Sequence, residues 1–167
     1  MKKHWNITML AVCCLALLAS GCTQKPAPDT RVADEATIRE SNRTWSKAYN
    51  AGDVDGLVAL HAEDAVVSAP GAPAARGHAA IRELFVKDIA ASAKAGITLN
   101  IGAVSDVGVS GDLGWEWGTF TATDKSGTTV DAGKYVTVFA RKNGKWLIIR
   151  DIWNSDMPPP APAPVKK

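Results

Sequence analysis

The sequence predicts an α+β fold in which three helices pack on a curved, mostly antiparallel β-sheet. Between residues 32 and 93, three segments place their apolar residues at helical spacing. From Ile97 onward, β-branched and aromatic residues form long runs that short turns separate. Helices followed by a run of strands are typical of α+β domains. A twisted antiparallel sheet of this kind can curl around its helices into a cone with a cavity at the open end.

The first two helices are predicted from an apolar stripe and a cap. The segment Val32–Ala51 places Ile38, Trp45 and Tyr49 on one stripe. Gly52 suits the C-terminal end of this helix. Asp53 is expected to cap a short second helix over Val54–His61.

Two short strands and a third helix are predicted next. Residues 65–69 and 74–77 suit short strands on either side of a Pro-Gly turn. The apolar spacing then predicts a helix over His78–Ala93, which Gly96 ends.

The rest of the chain predicts long strands, over residues 97–109, 113–123 and on both sides of a final turn. If Ser126-Gly127 forms a two-residue loop, Trp117 faces Val136 and Glu116 faces Thr137.

The final turn is Asn143-Gly144, whose residue types suit the positive φ angles of a type I′ hairpin. A straight hairpin register would place Val136 opposite Asp151 and Lys134 opposite Trp153. One face would then carry Lys134, Val136, Val138, Leu147, Ile149, Asp151 and Trp153. The other face would carry Tyr135, Thr137, Phe139, Arg141, Trp146, Ile148, Arg150, Ile152 and Asn154.

The N-terminus predicts a secretory signal peptide over residues 1–21. Lys2 and Lys3 precede an apolar run that is too short to span a bilayer, and small residues then lead to Cys22. This ending resembles a bacterial lipobox, which implies lipidation of Cys22. The alternative is ordinary signal-peptidase cleavage near the same place. Thr23 after the cysteine favours the outer membrane, facing the periplasm.

Both ends of the mature chain are expected to lie outside the folded domain, which spans residues 32–156. Residues 22–31 suit a tether, and the Pro/Ala-rich residues 157–167 suit a disordered tail.

Charge and cysteine content exclude several classes of function. The formal net charge is +2, and removal of Lys2 and Lys3 with the signal would leave zero. A neutral domain without a basic cluster argues against nucleic-acid binding. Cys13 and Cys14 would leave with the signal and Cys22 would be acylated, so no thiol is expected for a disulfide, metal or nucleophile. No metal and no cofactor are expected.

Several motifs together resemble the NTF2-like superfamily, and in particular its SnoaL-like, DUF4440-type branch. The motifs are Trp45-x3-Tyr49-Asn50-Ala51-Gly52-Asp53, Leu60-His61-Ala62-Glu63-Asp64-Ala65-Val66, Arg76-Gly77-His78-x2-Ile81, Asn143-Gly144-Lys145-Trp146 and Arg150-Asp151-Ile152-Trp153-Asn154-Ser155. The resemblance covers residues 34–156 and implies the cone-shaped fold. It does not imply one function, because the superfamily includes isomerases, dehydratases, cyclases and non-catalytic domains.

Ketosteroid isomerases are the best-understood relatives that this resemblance implies, and their catalytic residues are not retained. Their tyrosine on the first helix falls at Trp45, their general base at Ala69 and their oxyanion aspartate at Val136. A second tyrosine of their pocket falls at His61, and only a pocket tryptophan is kept, as Trp153.

Two residues are candidates for a replacement base. His61 could act with Asp64 or Glu63, or it could be a structural histidine that is hydrogen-bonded at a helix end. Asp151 could orient a ligand or act as a base, or it could form an internal ion pair with Lys134. Lys134 could also lie over Trp153.

Glu116 and Arg150 are expected to form a cross-strand charge pair beside Thr137.

Three functions follow from these residues. The first is an envelope-anchored domain that binds a small, largely apolar ligand in a pocket formed by Trp45, Tyr49, His61, Trp117, Lys134, Val136, Asp151 and Trp153. The second is an isomerase or lyase that uses His61 or Asp151 as its base. The third is a dimeric interaction domain with a pocket filled by tryptophans. A homodimer is expected in any case, because the face with Tyr135, Phe139, Trp146, Ile148 and Ile152 is too apolar to leave in water.

Overall fold

The computed structural model describes residues 29–102 and 106–158. The helices are α1 (Arg31–Ala51), α2 (Val54–Ala59) and α3 (Gly77–Ala95). The strands are β1 (His61–Ser68), β2 (Ala75–Arg76), β3 (Thr98–Ile101), β4 (Asp106–Ser110), β5 (Leu113–Thr123), β6 (Thr129–Lys142) and β7 (Lys145–Ser155). The predicted α+β class is therefore confirmed. The predicted signal peptide, Cys22, most of the tether and most of the tail lie outside the described residues.

All described strands form one sheet in the order β2-β1-β7-β6-β5-β3, and β4 also pairs with β5. Only β1 and β7 run parallel; the other pairs are antiparallel. The strand predicted over residues 97–109 is in fact two strands. β3 pairs with one half of β5 and β4 with the other.

The helix ends follow the predicted capping residues, with one exception. Gly52 and Gly96 end α1 and α3 in the left-handed conformation, with φ angles of 73° and 70°. The Asp53 carboxylate caps α2 by accepting a hydrogen bond from the Gly56 amide at 2.8 Å. The exception is the end of α2, which we predicted at His61. The Leu60 carbonyl accepts a hydrogen bond from the Ile148 amide at 2.9 Å, so His61 begins β1 instead.

The register between β5 and β6 is the one that we expected for a two-residue loop at Ser126-Gly127. Glu116 pairs with Thr137 and Trp117 pairs with Val136. The connection is longer than two residues, and an irregularity between Ala122 and Thr123 restores the register.

The register between β6 and β7 differs from the prediction beyond the turn. Asn143 and Gly144 have the expected positive φ angles of 51° and 76°, and Lys142 pairs with Lys145. Phe139 then pairs with Ile148 but Val138 pairs with Arg150, so Ile149 is an extra residue in a β-bulge.

The bulge changes which face each later residue of β7 occupies, because side chains alternate between faces. Asp151 pairs with Thr137 and Trp153 pairs with Tyr135, so our assignment of Asp151 and Trp153 to the face of Lys134 and Val136 was wrong. A straight register would have put Arg150 under the helices, whereas the bulge leaves it exposed.

The helices cover the face of the sheet that carries Tyr135, Thr137 and Phe139. Two apolar clusters form there, one around Phe85 and one around Phe139. Of the five apolar residues that we expected on a dimer face, Tyr135, Phe139, Trp146 and Ile148 are instead buried, and Ile152 is exposed. Among the helices of the described residues, none is long and apolar enough to cross a membrane.

Candidate functional site

A cavity of about 290 Å³ lies between the helices and the concave face of the sheet. Helices α1 and α3 and strands β3, β5, β6 and β7 contribute to its wall. The wall is largely aromatic, with Trp45, Tyr49, Phe85, Phe120, Tyr135, Phe139 and Trp153. At about 30 Å³ per molecule in liquid water, the volume corresponds to roughly ten water molecules, which suits a small organic ligand.

Two carboxyl groups line this cavity, and three neighbouring strands align them in one row. Glu116 on β5, Thr137 on β6 and Asp151 on β7 pair in one row across the sheet, with adjacent strands about 5 Å apart. Glu116 is 2% exposed and Asp151 is 8% exposed. The Thr137 hydroxyl donates a hydrogen bond to Asp151 Oδ1 at 3.0 Å.

Asn42 links helix α1 to the same group of residues. Its Nδ2 donates to Glu116 Oε1 at 3.2 Å and also donates to the Tyr135 hydroxyl oxygen. Gly118 allows the tyrosine to lie there, because a Cβ atom at position 118 would come within 2.4 Å of that hydroxyl oxygen. We call Asn42, Glu116, Tyr135, Thr137 and Asp151 the polar cluster.

Burial raises the pKa values of both carboxyl groups. The pKa of Asp151 rises to about 6, although hydrogen bonds from Thr137 and the Ile152 amide act against the rise. The pKa of Glu116 rises to about 8, chiefly by burial and secondly by the charge of Asp151. The hydrogen bond from Asn42 and the charge of Arg39 partly offset this rise. Near neutral pH, Glu116 is therefore mostly protonated and Asp151 mostly ionised.

Two buried polar atoms of cavity-lining residues have no hydrogen-bond partner among the described residues. They are Glu116 Oε2 and Trp45 Nε1. Buried polar atoms in proteins are almost always paired, so unpaired ones in a cavity wall indicate where a ligand could bind.

The cavity wall also carries a second hydrogen-bonded group. The Tyr49 hydroxyl donates to Asp88 Oδ2 at 2.6 Å and lies 3.0 Å from the Ser92 hydroxyl. Burial, followed by this contact with Asp88, raises the pKa of Tyr49. The tyrosine therefore stays neutral.

Four of the eight residues that we predicted to line the pocket do line the cavity: Trp45, Tyr49, Asp151 and Trp153. Trp117, Lys134 and Val136 lie on the opposite face of the sheet. The bulge at Ile149 explains the error, because it moves Asp151 and Trp153 away from the face of Lys134. Lys134 pairs with Asp156 and not with Asp151.

His61 also lies outside the cavity wall. It is buried against Phe85, with ring centroids 5.7 Å apart. Its Nδ1 lies 2.8 Å from the Leu57 carbonyl, so Nδ1 must carry the proton and donate. Burial lowers its pKa, which keeps the ring neutral. Asp64, one suggested partner, instead pairs with Lys142. This arrangement fits the structural alternative for His61.

The sequence did not identify four members of the polar cluster as site residues: Asn42, Glu116, Tyr135 and Thr137. The strand pairing that we predicted correctly placed Glu116 on β5 beside Thr137 on β6. The expected partner was wrong, because Arg150 is exposed and donates to the neighbouring Ile149 carbonyl at 2.6 Å. The available signal for this site was Glu116, which is the one polar residue beside Gly114, Gly118 and Phe120 on the buried side of β5.

Within residues 29–102 and 106–158, no group of three or more His, Cys, Asp or Glu side chains is arranged to hold a metal ion.

Comparison with known proteins places this geometry in a family. Residues 42–149 match the model of the SnoaL-like domain. An NTF2-like protein with a cystatin-like fold from Novosphingobium aromaticivorans superposes with a TM-score of 0.66 at 24% identity, over 90% of each chain. A ketosteroid isomerase-like protein from Erwinia carotovora atroseptica has a TM-score of 0.58 at 21% identity, covering 75% of this chain and 98% of its own.

A further similar structure comes from Streptomyces avermitilis and is provisionally assigned as a dehydratase of the NTF2-like family. Its TM-score is 0.64 at 18% identity, and the match covers 76% of this chain and 99% of that one. At these identities the structures show the fold alone. The match to the family model spans most of the chain, and on that ground the protein belongs to the SnoaL-like domain family and has the NTF2-like fold.

Proposed function

We propose that the protein binds a small, largely apolar molecule in the cavity and holds the polar end of that molecule with Glu116 and Asp151. The observation that carries this proposal is the buried Glu116 Oε2 atom, which has no partner among the described residues and belongs to an otherwise largely aromatic wall. Ligand sites typically combine such an apolar wall with a few converging polar groups. The NTF2-like fold of the SnoaL-like domains supports the proposal, since this fold binds small molecules.

The test compares two substitutions on neighbouring residues of β5 that point to opposite faces. Ala122→Leu adds volume inside the cavity, because Ala122 is buried and lines it. Thr121→Leu adds a similar group on the exposed outer face and serves as the matched control. Binding of apolar probes, followed by tryptophan fluorescence, should weaken at least about tenfold in the first variant and stay unchanged in the second. Equal binding by both variants would refute the cavity as the site.

A second candidate function is acid–base catalysis of the isomerase or lyase type, with Asp151 as the base. It is favoured by the two carboxyl groups on either side of Thr137, whose pKa values are about 6 for Asp151 and about 8 for Glu116. Such a pair can supply one ionised base and one protonated hydrogen-bond donor at neutral pH. Asp151 would remove a proton from carbon beside a carbonyl, and the protonated Glu116 would donate to the carbonyl oxygen.

Hydrogen–deuterium exchange separates catalysis from binding. Ketone probes would be incubated with the protein in D₂O and followed by NMR. An enzyme would accelerate exchange at the carbon beside the carbonyl, and Asp151→Asn would abolish the acceleration. If probes that demonstrably bind show no faster exchange, the protein binds ligands without catalysing this reaction. His61 is not part of this candidate, because it does not line the cavity.

We also propose that the protein is anchored to the cell envelope through a lipid on Cys22, in the outer membrane and facing the periplasm. The basic residues, the short apolar run and the small residues that precede Cys22 support this proposal. It is independent of the cavity, and membrane fractionation of a Cys22→Ser variant tests it.

We also propose that the protein forms a homodimer, through a different surface from the one that the sequence suggested. The outer face of the sheet carries Leu113, Trp115, Val136 and Ile152, which are 38% to 56% exposed. Large apolar side chains that are exposed on one face of a sheet are typical of an interaction surface. The alternative of an interaction domain with a filled pocket gains no support, because Trp117 lies on this outer face while Trp45 and Trp153 line an open cavity.

A further inference from the structure

The charged groups of the cavity wall all have the same sign. Asp88, Glu116, Asp131 and Asp151 line the cavity, and no Lys, Arg or His is among the described lining residues. Two of these carboxylates accept hydrogen bonds from neutral groups, Asp88 from Tyr49 and Asp131 from Ser155. A ligand that carries a negative charge would find no positively charged side chain among the described lining residues, so the wall disfavours anions.

Asp151 has hydrogen bonds but no cation beside it in the described structure. Its carboxylate accepts from the Thr137 hydroxyl at 3.0 Å, and the Ile152 amide also stabilises it. A buried carboxylate without a counter-charge costs several kcal/mol. On the other side of Thr137, Glu116 Oε2 is buried and has no partner among the described residues. Asp151 therefore lacks a counter-charge of its own, and Glu116 Oε2 lacks a hydrogen-bond partner among the described residues.

The aromatic wall suits a cation as well as an apolar body. Trp45 stacks on Tyr49 with ring centroids 5.3 Å apart, and Phe85 meets Trp45 edge-on at 6.0 Å. The faces of such rings attract ammonium groups, and tryptophan does so most strongly.

We propose that the ligand is an organic cation, an amine on an apolar body, whose ammonium group binds between Glu116 Oε2 and Asp151. This inference rests on the proposed binding function and adds the chemical class of the ligand. An ammonium group supplies both missing features at once, since it carries the counter-charge and donates up to three hydrogen bonds. The apolar body then packs against the aromatic wall.

The proposal has a consequence for pH. The groups that face Glu116 are Asn42 and Arg39 from α1, Tyr135 from β6 and Asp151 from β7. Raising the pH from 6 to 9 ionises Asp151 and then Glu116, while an alkyl ammonium keeps its proton until about pH 10. The cavity therefore becomes more negative and binds an amine more tightly. A neutral alcohol gains nothing from this change.

The experiment uses three probes that share one apolar body: 4-phenylbutylamine, 4-phenylbutan-1-ol and 4-phenylbutyrate. Each is titrated into the purified protein by calorimetry between pH 6 and 9. At pH 8 the amine should bind at least about tenfold more tightly than the alcohol, and the carboxylate least of all. The affinity for the amine should rise at least about threefold from pH 6.5 to 8.5. Asp151→Asn should remove most of the preference for the amine, and Glu116→Gln most of its pH dependence.

The outcomes separate the two proposals. If the alcohol binds as tightly as the amine to the unchanged protein at pH 8, the cation inference is wrong and the binding function stands. If the amine preference survives in a folded Asp151→Asn variant, the inference is also wrong. If none of the three probes binds at any pH, the proposed binding function fails as well. The comparison of probes on the unchanged protein needs no variant to fold.

Discussion

The raised pKa of Glu116 predicts that this residue destabilises the fold increasingly as the pH rises from 4.5 to about 8. A carboxyl group whose pKa is higher in the folded than in the unfolded chain binds more protons when folded. For Glu116 the two values are about 8 and the ordinary 4.5. Stability should therefore fall as the pH rises from 4.5 to 8, and it should level off above that. Asp151 also lowers stability as the pH rises, but its effect is complete at about pH 6 because its pKa in the folded protein is about 6.

The size of the effect follows from the gap between the two pKa values. At 1.36 kcal/mol per pKa unit, the gap for Glu116 corresponds to at most about 5 kcal/mol of unfolding free energy. Glu116→Gln keeps the shape and an oxygen that can accept from Asn42, but it cannot ionise. We expect the variant to match the original protein near pH 5 and to be more stable by several kcal/mol at pH 8.

Urea unfolding followed by tryptophan fluorescence measures this difference at pH 5, 6, 7, 8 and 9. Glu83→Gln on the exposed face of α3 is the matched control and should follow the original protein at every pH. A stability difference between Glu116→Gln and the original protein that does not change with pH would refute the reasoning. It would mean that Glu116 is hydrated or paired in solution.

Three further predictions concern the tyrosine, the lipid and the dimer. Gly118→Ala should displace the Tyr135 ring, because the added methyl group would overlap the tyrosine hydroxyl. The variant should lose about 1–3 kcal/mol of unfolding free energy and bind probes more weakly. Denaturation and probe titration check this, and Thr119→Ala on the outer face is the control. Cys22→Ser should release the protein from membranes and abolish palmitate labelling, and unchanged fractionation would contradict lipidation. Trp115→Lys should shift the protein from dimer to monomer in analytical ultracentrifugation, since Trp115 is 45% exposed on the outer face; an unchanged mass would remove this face as the interface.

Local residue chemistry was sufficient to predict most elements of the fold. The bounds of β5 are the predicted ones, and Gly52, Gly96 and the Asn143-Gly144 turn act as expected. These features depend on φ angles and alternation within a few residues, so a single sequence specifies them.

The site could be predicted only in part, because one β-bulge decides which residues share a face. Side chains of a strand alternate between the two faces of the sheet, so a one-residue shift moves every later side chain to the opposite face. The extra residue at Ile149 moved Asp151 and Trp153 to the helix side and kept Arg150 outside. The apolar pair Ile148-Ile149 before a charged residue was a usable signal, since a straight strand would have buried Arg150.

The contrast between two buried aspartates supports a ligand-binding role for the polar cluster. Asp34 is 6% exposed and accepts hydrogen bonds from Arg141, Thr30 and Trp146. The bond from Arg141 is the largest cause that lowers its pKa, to about 2. The fold can therefore satisfy a buried carboxylate fully where its role is to tie α1 to the sheet.

Asp151 is buried to a similar extent, yet its pKa is raised, and the neighbouring Glu116 has an oxygen without a partner among the described residues. Replacing both by apolar residues of similar size would remove a cost of folding. Natural sequences break such local rules mainly at functional sites. We therefore expect the variant Glu116→Leu/Asp151→Leu to be more stable than the original protein at pH 8 and to lose the preference for an amine probe. A less stable double variant would show that the two carboxyl groups support the fold, as Asp34 does, and would remove this argument for a binding site.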